Sequence, residues 1–184
     1  MDNTHIPVTL KRAFLGALLI VPMLAMAQNS DSRAITAVLN EAKKHAVLAE
    51  EDAATLESYT LSSLSWQTHA NRLNLMNEHA TDLINEFNQL SSLRSKGSPW
   101  QQEAIDRINP LLHEMADNLT ATINYLNENQ KRVQMPPFQN YVRANHELIS
   151  KTTSLISDLV DYGEARAKAD NLENSLDLPS IAHE

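Results

Sequence analysis

The segment from Trp66 to Leu90, WQTHANRLNLMNEHATDLINEFNQL, places Trp66, His69, Leu73, Met76, Ala80, Leu83, Phe87 and Leu90 at alternating steps of three and four. That spacing lines one stripe of an α-helix, and a helix cannot bury such a stripe alone. Three further seams of the same kind lie on either side. They are Ile35, Leu39, Ala42, Ala46, Ala49, Ala53, Leu56; Ile105, Ile108, Leu112, Met115, Leu119, Thr122, Leu126; and Tyr141, Asn145, Leu148, Thr152, Leu155, Leu159, Tyr162. Val142, Ile149, Ile156 and Val160 widen the last. The first is rich in small residues and allows close approach of its neighbour. Four seams predict an all-α fold, an elongated antiparallel up-down four-helix bundle.

Chain punctuation sets the expected boundaries near 32–58, 65–95, 99–131 and 138–170. Gly97 follows one helix, Ser98 caps the next, Pro99 takes its first position and Gln101 completes a capping box. Pro136 and Pro137 break the chain before the fourth helix. Pro110 sits inside a stripe whose phase does not reset, which predicts a third helix kinked at Pro110 but continuous.

The N-terminus reads as a secretory signal peptide over 1–27. Lys11-Arg12 precede an apolar run from Ala13 to Leu24, and Ala25-Met26-Ala27 places cleavage before Gln28. The apolar run is shorter than the roughly 20 residues a membrane-spanning helix needs. The expected product is therefore extracytoplasmic, periplasmic or secreted, with a bundle domain over 28–170, a flexible acidic tail over 171–184 and no integral membrane segment after cleavage.

Composition excludes several function classes. The 184 residues contain no Cys, three Gly and seven Pro, with a formal charge of -8. Cysteine nucleophiles, disulfides and Cys-ligated zinc or iron–sulfur sites are ruled out. The acidic balance opposes nucleic-acid binding and anionic lipid surfaces, and the scarcity of Gly opposes a phosphate-binding loop.

Candidate chemistry is sparse. His69 is the one titratable group on its seam, with Met76 two turns further along the same face; buried His and Met in bundles can hold haem or metal. No Glu-x-x-His pair occurs to support a carboxylate di-metal site. His113-Glu114 and His146-Glu147 lack a second His four residues on, where Asp117 and Ser150 stand. His45, His79 and His183 show no partner at ligand spacing, and Glu50-Glu51-Asp52 reads as a solvated face. No nucleophile elbow is found, and no catalytic residue, metal ligand set or cofactor is assigned. If successive helices alternate direction, Trp66, Tyr125, Phe138 and Tyr141 gather at one end with Tyr59, while Trp100 and Tyr162 lie toward the other. These rings either plug the bundle or form a ligand pocket.

Ser65-Trp66-Gln67-Thr68-His69, Ser98 through Ile105 and Asn127-Glu128-Asn129-Gln130 together resemble a group of uncharacterised exported helical proteins of environmental bacteria. The resemblance spans about the central two thirds of the mature chain. It implies export and helicity and adds no site. The functional expectation is a non-enzymatic exported bundle that presents helical surface to a protein or envelope partner, with a homodimer among its assemblies. The alternative is a small-ligand, haem or metal-binding bundle using His69 and Met76 or the aromatic end, Trp66, Tyr125, Phe138 and Tyr141.

Overall fold

A computed structural model describes residues 31–176; residues 1–30, with the segment read as a signal peptide, and the last eight residues, His183 included, lie outside them. Four helices account for most of the described chain: α1 (Arg33–Thr60), α2 (Trp66–Leu93), α3 (Pro99–Glu128) and α4 (Pro136–Leu176). Short 3-10 turns, Arg94–Lys96 and Gln130–Arg132, precede α3 and α4, and no strand occurs among the described residues.

Local chemistry explains where each helix begins. Ser65 Oγ accepts the Thr68 N–H at 3.3 Å and caps α2. The Gln101 amide caps two helices at once. Its Oε1 accepts from Ser98 N at 3.1 Å and from Ser32 N at 2.8 Å, while its Nε2 donates to the Ser32 carbonyl at 3.2 Å. A fully buried glutamine thus ties the start of α1 to the start of α3. The fourth helix starts at Pro136 rather than 138: both prolines occupy its first turn, where a missing N–H leaves no helical bond unmade. It also runs past the expected end at 170, to Leu176.

Gly97 has a different job from the one its position suggested. Its φ of -85° is open to any residue. Space is what demands glycine, since a Cβ would lie 2.8 Å from Ile35 Cδ1. Gly163 is similar, with a built Cβ 2.7 Å from Trp100 Cη2.

The helices contact in a ring, α1 to α2 to α3 to α4 and back to α1. The α1 contacts are the most extensive, in keeping with the buried alanines Ala42, Ala46, Ala49 and Ala53 along its seam. Cross-helix pairings run in opposite sequence order. Along α1 and α4, Lys43 meets Asp161, Ala46 meets Thr153, Glu57 meets His146 and Thr60 meets Gln139. Along α1 and α2, His45 meets Glu86 and Asp52 meets both His79 and Arg72. Between α3 and α4, Trp100 packs on Tyr162 and Thr122 bonds Asn145.

Seams one to three are buried almost throughout; only Trp66, at the start of α2, is half exposed. The α4 seam is rotated from its expected phase. Phe138, Val142, Ile149, Ile156, Val160 and Gly163 face inward with Asn145, Leu148 and Thr152, whereas Tyr141 and Tyr162 are exposed and Leu155 and Leu159 half exposed. The buried row stands beside the expected one from the start of the helix, with Val142 buried and Tyr141 exposed, and keeps the same three-four spacing through Ile156, so packing against α1 and α3 selects between two adjacent apolar rows. α3 passes through Pro110 without interruption, with Asn109 and Pro110 both exposed.

Candidate functional site

Two places concentrate polar or aromatic groups that the core does not need. The first is the end where α1 finishes and α4 begins. Gln139 Nε2 donates to Thr60 O at 3.1 Å and lies 3.4 Å from Gln134 O, holding the two loops together. Beneath them His69 packs edge-on against Tyr59 and Phe138, with centroids 6.1 and 5.8 Å away. Phe138 stacks on Tyr125 at 6.3 Å, and Tyr125 meets Tyr141 at 5.3 Å. Of the rings expected at this end, Tyr125, Phe138 and Tyr141 form one chain of contacts with Tyr59, and His69, expected instead with Met76, links Tyr59 to Phe138. Trp66 is half buried against the core and Met76 is wholly enclosed in it.

His69 is itself fully buried, and its Nδ1 bonds Ser65 O at 2.8 Å. A carbonyl only accepts, so Nδ1–H is the donor in this bond and Nε2 is the ring nitrogen left over. That Nε2 has no partner. Above the rings, Leu61 is 81% exposed and Met135 52% exposed, flanking the two carbonyls that Gln139 gathers.

The second place lies between α1 and α2, and it corrects two expectations. Asp52 is not part of a solvated face: it is only 6% exposed and its Oδ1 pairs with Arg72. The Asp52 carboxylate holds the Arg72 guanidinium above its ordinary value. His45 and His79 do have partners, supplied by the facing helix. His45 Nδ1 lies 3.6 Å from Asp82 Oδ2, and its Nε2 3.4 Å from Glu86 Oε1. His79 Nε2 lies 3.6 Å from Asp52 Oδ2, and the two imidazoles are 6.1 Å apart. Burial pushes the Glu86 carboxyl above its usual range, with His45 opposing the shift. Four buried atoms of this cluster lack hydrogen-bond partners: His45 Nδ1, His79 Nδ1, Asp52 Oδ2 and Glu86 Oε2. Ligand atoms of His45, His79 and Asp82 fall within 4.8 Å of one another, the one such His and carboxylate group among the described residues.

A heptad row carries the signal that would have found this cluster. Arg72, His79 and Glu86 recur every seven residues beside the α2 seam, as His45 and Asp52 do beside the α1 seam. Such flanking rows face each other across a helix pair. The other histidines stay apart. His113 is exposed, and His146 Nδ1 pairs with Glu57 at 2.5 Å rather than with Glu147.

A third feature is an outer groove of about 360 Å³ between α3 and α4. Leu155, Leu159 and Tyr162, turned out of the core by the α4 rotation, line it with Trp100.

Comparison with protein families, with characterised proteins and with solved structures finds no match to this chain. No helix among the described residues is long and apolar enough to cross a membrane.

Proposed function

We propose that this chain is an exported, non-enzymatic helical module, an up-down-up-down bundle bent at Pro110, that acts by presenting helical surface to a protein partner in the cell envelope. The opposite-order pairings of α1 with α2 and α4, and of α3 with α4, support the topology. The observation that carries the function is the loop end: Leu61 and Met135 stand in solvent, each next in sequence to one of the two carbonyls, Thr60 O and Gln134 O, that Gln139 gathers. Exposed apolar side chains on a rigid mount suit protein docking, and the adaptable Met side chain is favoured at such surfaces.

Cross-linking the purified chain in an envelope extract, followed by binding assays with the captured protein in pure form, tests this. The expected result is saturable binding that Leu61→Glu combined with Met135→Glu abolishes while the circular dichroism spectrum stays unchanged. Binding that survives both substitutions, self-association alone, or turnover of a defined substrate by the pure protein would contradict it.

One observation favours a second reading. The unpartnered Nε2 of buried His69, set among Tyr59, Tyr125 and Phe138, suits a small apolar ligand with one hydroxyl or amide donor, or a haem. Titration with haem would produce a Soret band; absence of the band and of any ligand-induced rise in melting temperature removes this reading.

A further inference from the structure

We propose that His45, His79 and Asp82 form a binding site for a single divalent transition-metal ion of the zinc class, bridging α1 and α2, with Asp52 and Glu86 as the outer carboxylates that orient the two imidazoles. This site is separate from the loop end and independent of the docking function.

Each histidine is built in the same way. His79 turns Nε2 toward Asp52 Oδ2 at 3.6 Å and leaves Nδ1 buried and unpartnered. His45 turns Nε2 toward Glu86 Oε1 at 3.4 Å, and its Nδ1, also unpartnered, lies 3.6 Å from Asp82 Oδ2. A metal-bound imidazole characteristically has one nitrogen on the ion and the other backed by a carboxylate. Here two rings from different helices share that arrangement. Buried polar atoms without partners are costly, and one ion would satisfy both Nδ1 atoms together.

Geometry and charge agree. Bonds of about 2.0–2.2 Å in a tetrahedral site set neighbouring ligand atoms roughly 3.3 Å apart. The 3.6 Å between His45 Nδ1 and Asp82 Oδ2 is near that spacing, and the ligand atoms of all three residues lie within 4.8 Å of one another, so rotation of the side chains alone closes the set. Three carboxylates, Asp52, Asp82 and Glu86, face one guanidinium, Arg72, leaving a negative balance that a divalent cation offsets. Asp52 is the anchor: it is more than nine-tenths buried, Arg72 holds Oδ1, and unpartnered Oδ2 points at His79. Asp82 is 54% exposed and leaves one side of the cluster open for entry and for a water as fourth ligand. Two imidazoles with one carboxylate favour zinc and its neighbours over magnesium or calcium, which take all-oxygen ligands.

The test is equilibrium dialysis and calorimetry of the full chain, purified without a histidine tag, against Zn²⁺, with Mg²⁺ and Ca²⁺ as comparison ions. The expected result is one Zn²⁺ per chain, a raised melting temperature, and no comparable binding of Mg²⁺ or Ca²⁺. His45→Ala and His79→Ala abolish binding, whereas Asp52→Asn weakens it by about 10–100-fold through the outer carboxylate. His113→Ala leaves it unchanged. Circular dichroism of each variant verifies the fold, and Co²⁺ absorption of the unmutated chain reports nitrogen and oxygen ligation without any substitution. Zn²⁺ bound equally by His45→Ala and His79→Ala, or held no better than Ca²⁺, would overturn the assignment.

Discussion

Gly163 marks the place where one hydrogen atom decides a helix contact. The Trp100 indole lies across α4 there, fixed by its Nε1–H bond to Asp31 at 2.7 Å and by edge-on packing against Tyr162 at 5.4 Å. A methyl group added at 163 has nowhere to go, because the ring is held on two sides. Gly163→Ala is therefore expected to cost about 1–3 kcal/mol despite the better helix propensity of alanine. Thermal denaturation reads this directly, and an unchanged or raised melting temperature would show that the indole moves aside freely. Arg94 and Asp106 supply a prediction in pH. The guanidinium holds the Asp106 carboxyl below its ordinary value, first by hydrogen bonding and then by charge. A carboxyl whose folded value is depressed adds stability above its unfolded value and loses it as pH falls through the folded one. Asp106→Asn should thus lower the melting temperature slightly at neutral pH and make no difference in strong acid. Both groups are exposed, so high salt should shrink the neutral-pH difference as well.

Among the elements, α1 and α4 carry the informative contrasts. The alanine stripe of α1 brings its neighbours close enough for Thr153 Oγ1 to reach Ala46 O at 3.1 Å across the α1–α4 contact. Ala46→Leu should destabilise by about 1–3 kcal/mol through overpacking, as measured by chemical denaturation. The double cap of Gln101 makes the α1 and α3 starts interdependent: Gln101→Leu strands the Ser32 and Ser98 N–H groups together, an expected loss of about 1–3 kcal/mol. Beyond Gly163, none of the described residues of α4 is buried. Deleting residues 169–184 should accordingly leave the melting temperature unchanged.

Across the whole molecule, the helical fold was legible because the α2 seam, the alanine stripe and the Ser98-Pro99 start each encode their own outcome locally. The phase of α4 was not, because apolar residues occupy two adjacent rows and only contact with α1 and α3 selects the inner one. The gathering of Tyr59, Tyr125, Phe138 and Tyr141 was legible from helix order alone; that His69 rather than Trp66 joins their chain of ring contacts was not. The His45, His79 and Asp82 cluster shows no ligand spacing within either helix; its only trace in the sequence is the pair of seven-residue rows beside the α1 and α2 seams, and its partners arrive from the facing helix. Local spacing reveals sites built within one helix and hides those assembled between two. Amide hydrogen exchange, followed with and without Zn²⁺, probes fold and site in a single measurement. The inner segments of all four helices should exchange slowly, residues 164–176 quickly, and added Zn²⁺ should slow α1 and α2 near His45 and His79 while leaving α3 unaltered. Uniformly fast exchange, or slowing by Zn²⁺ anywhere but that pair of helices, would contradict the account.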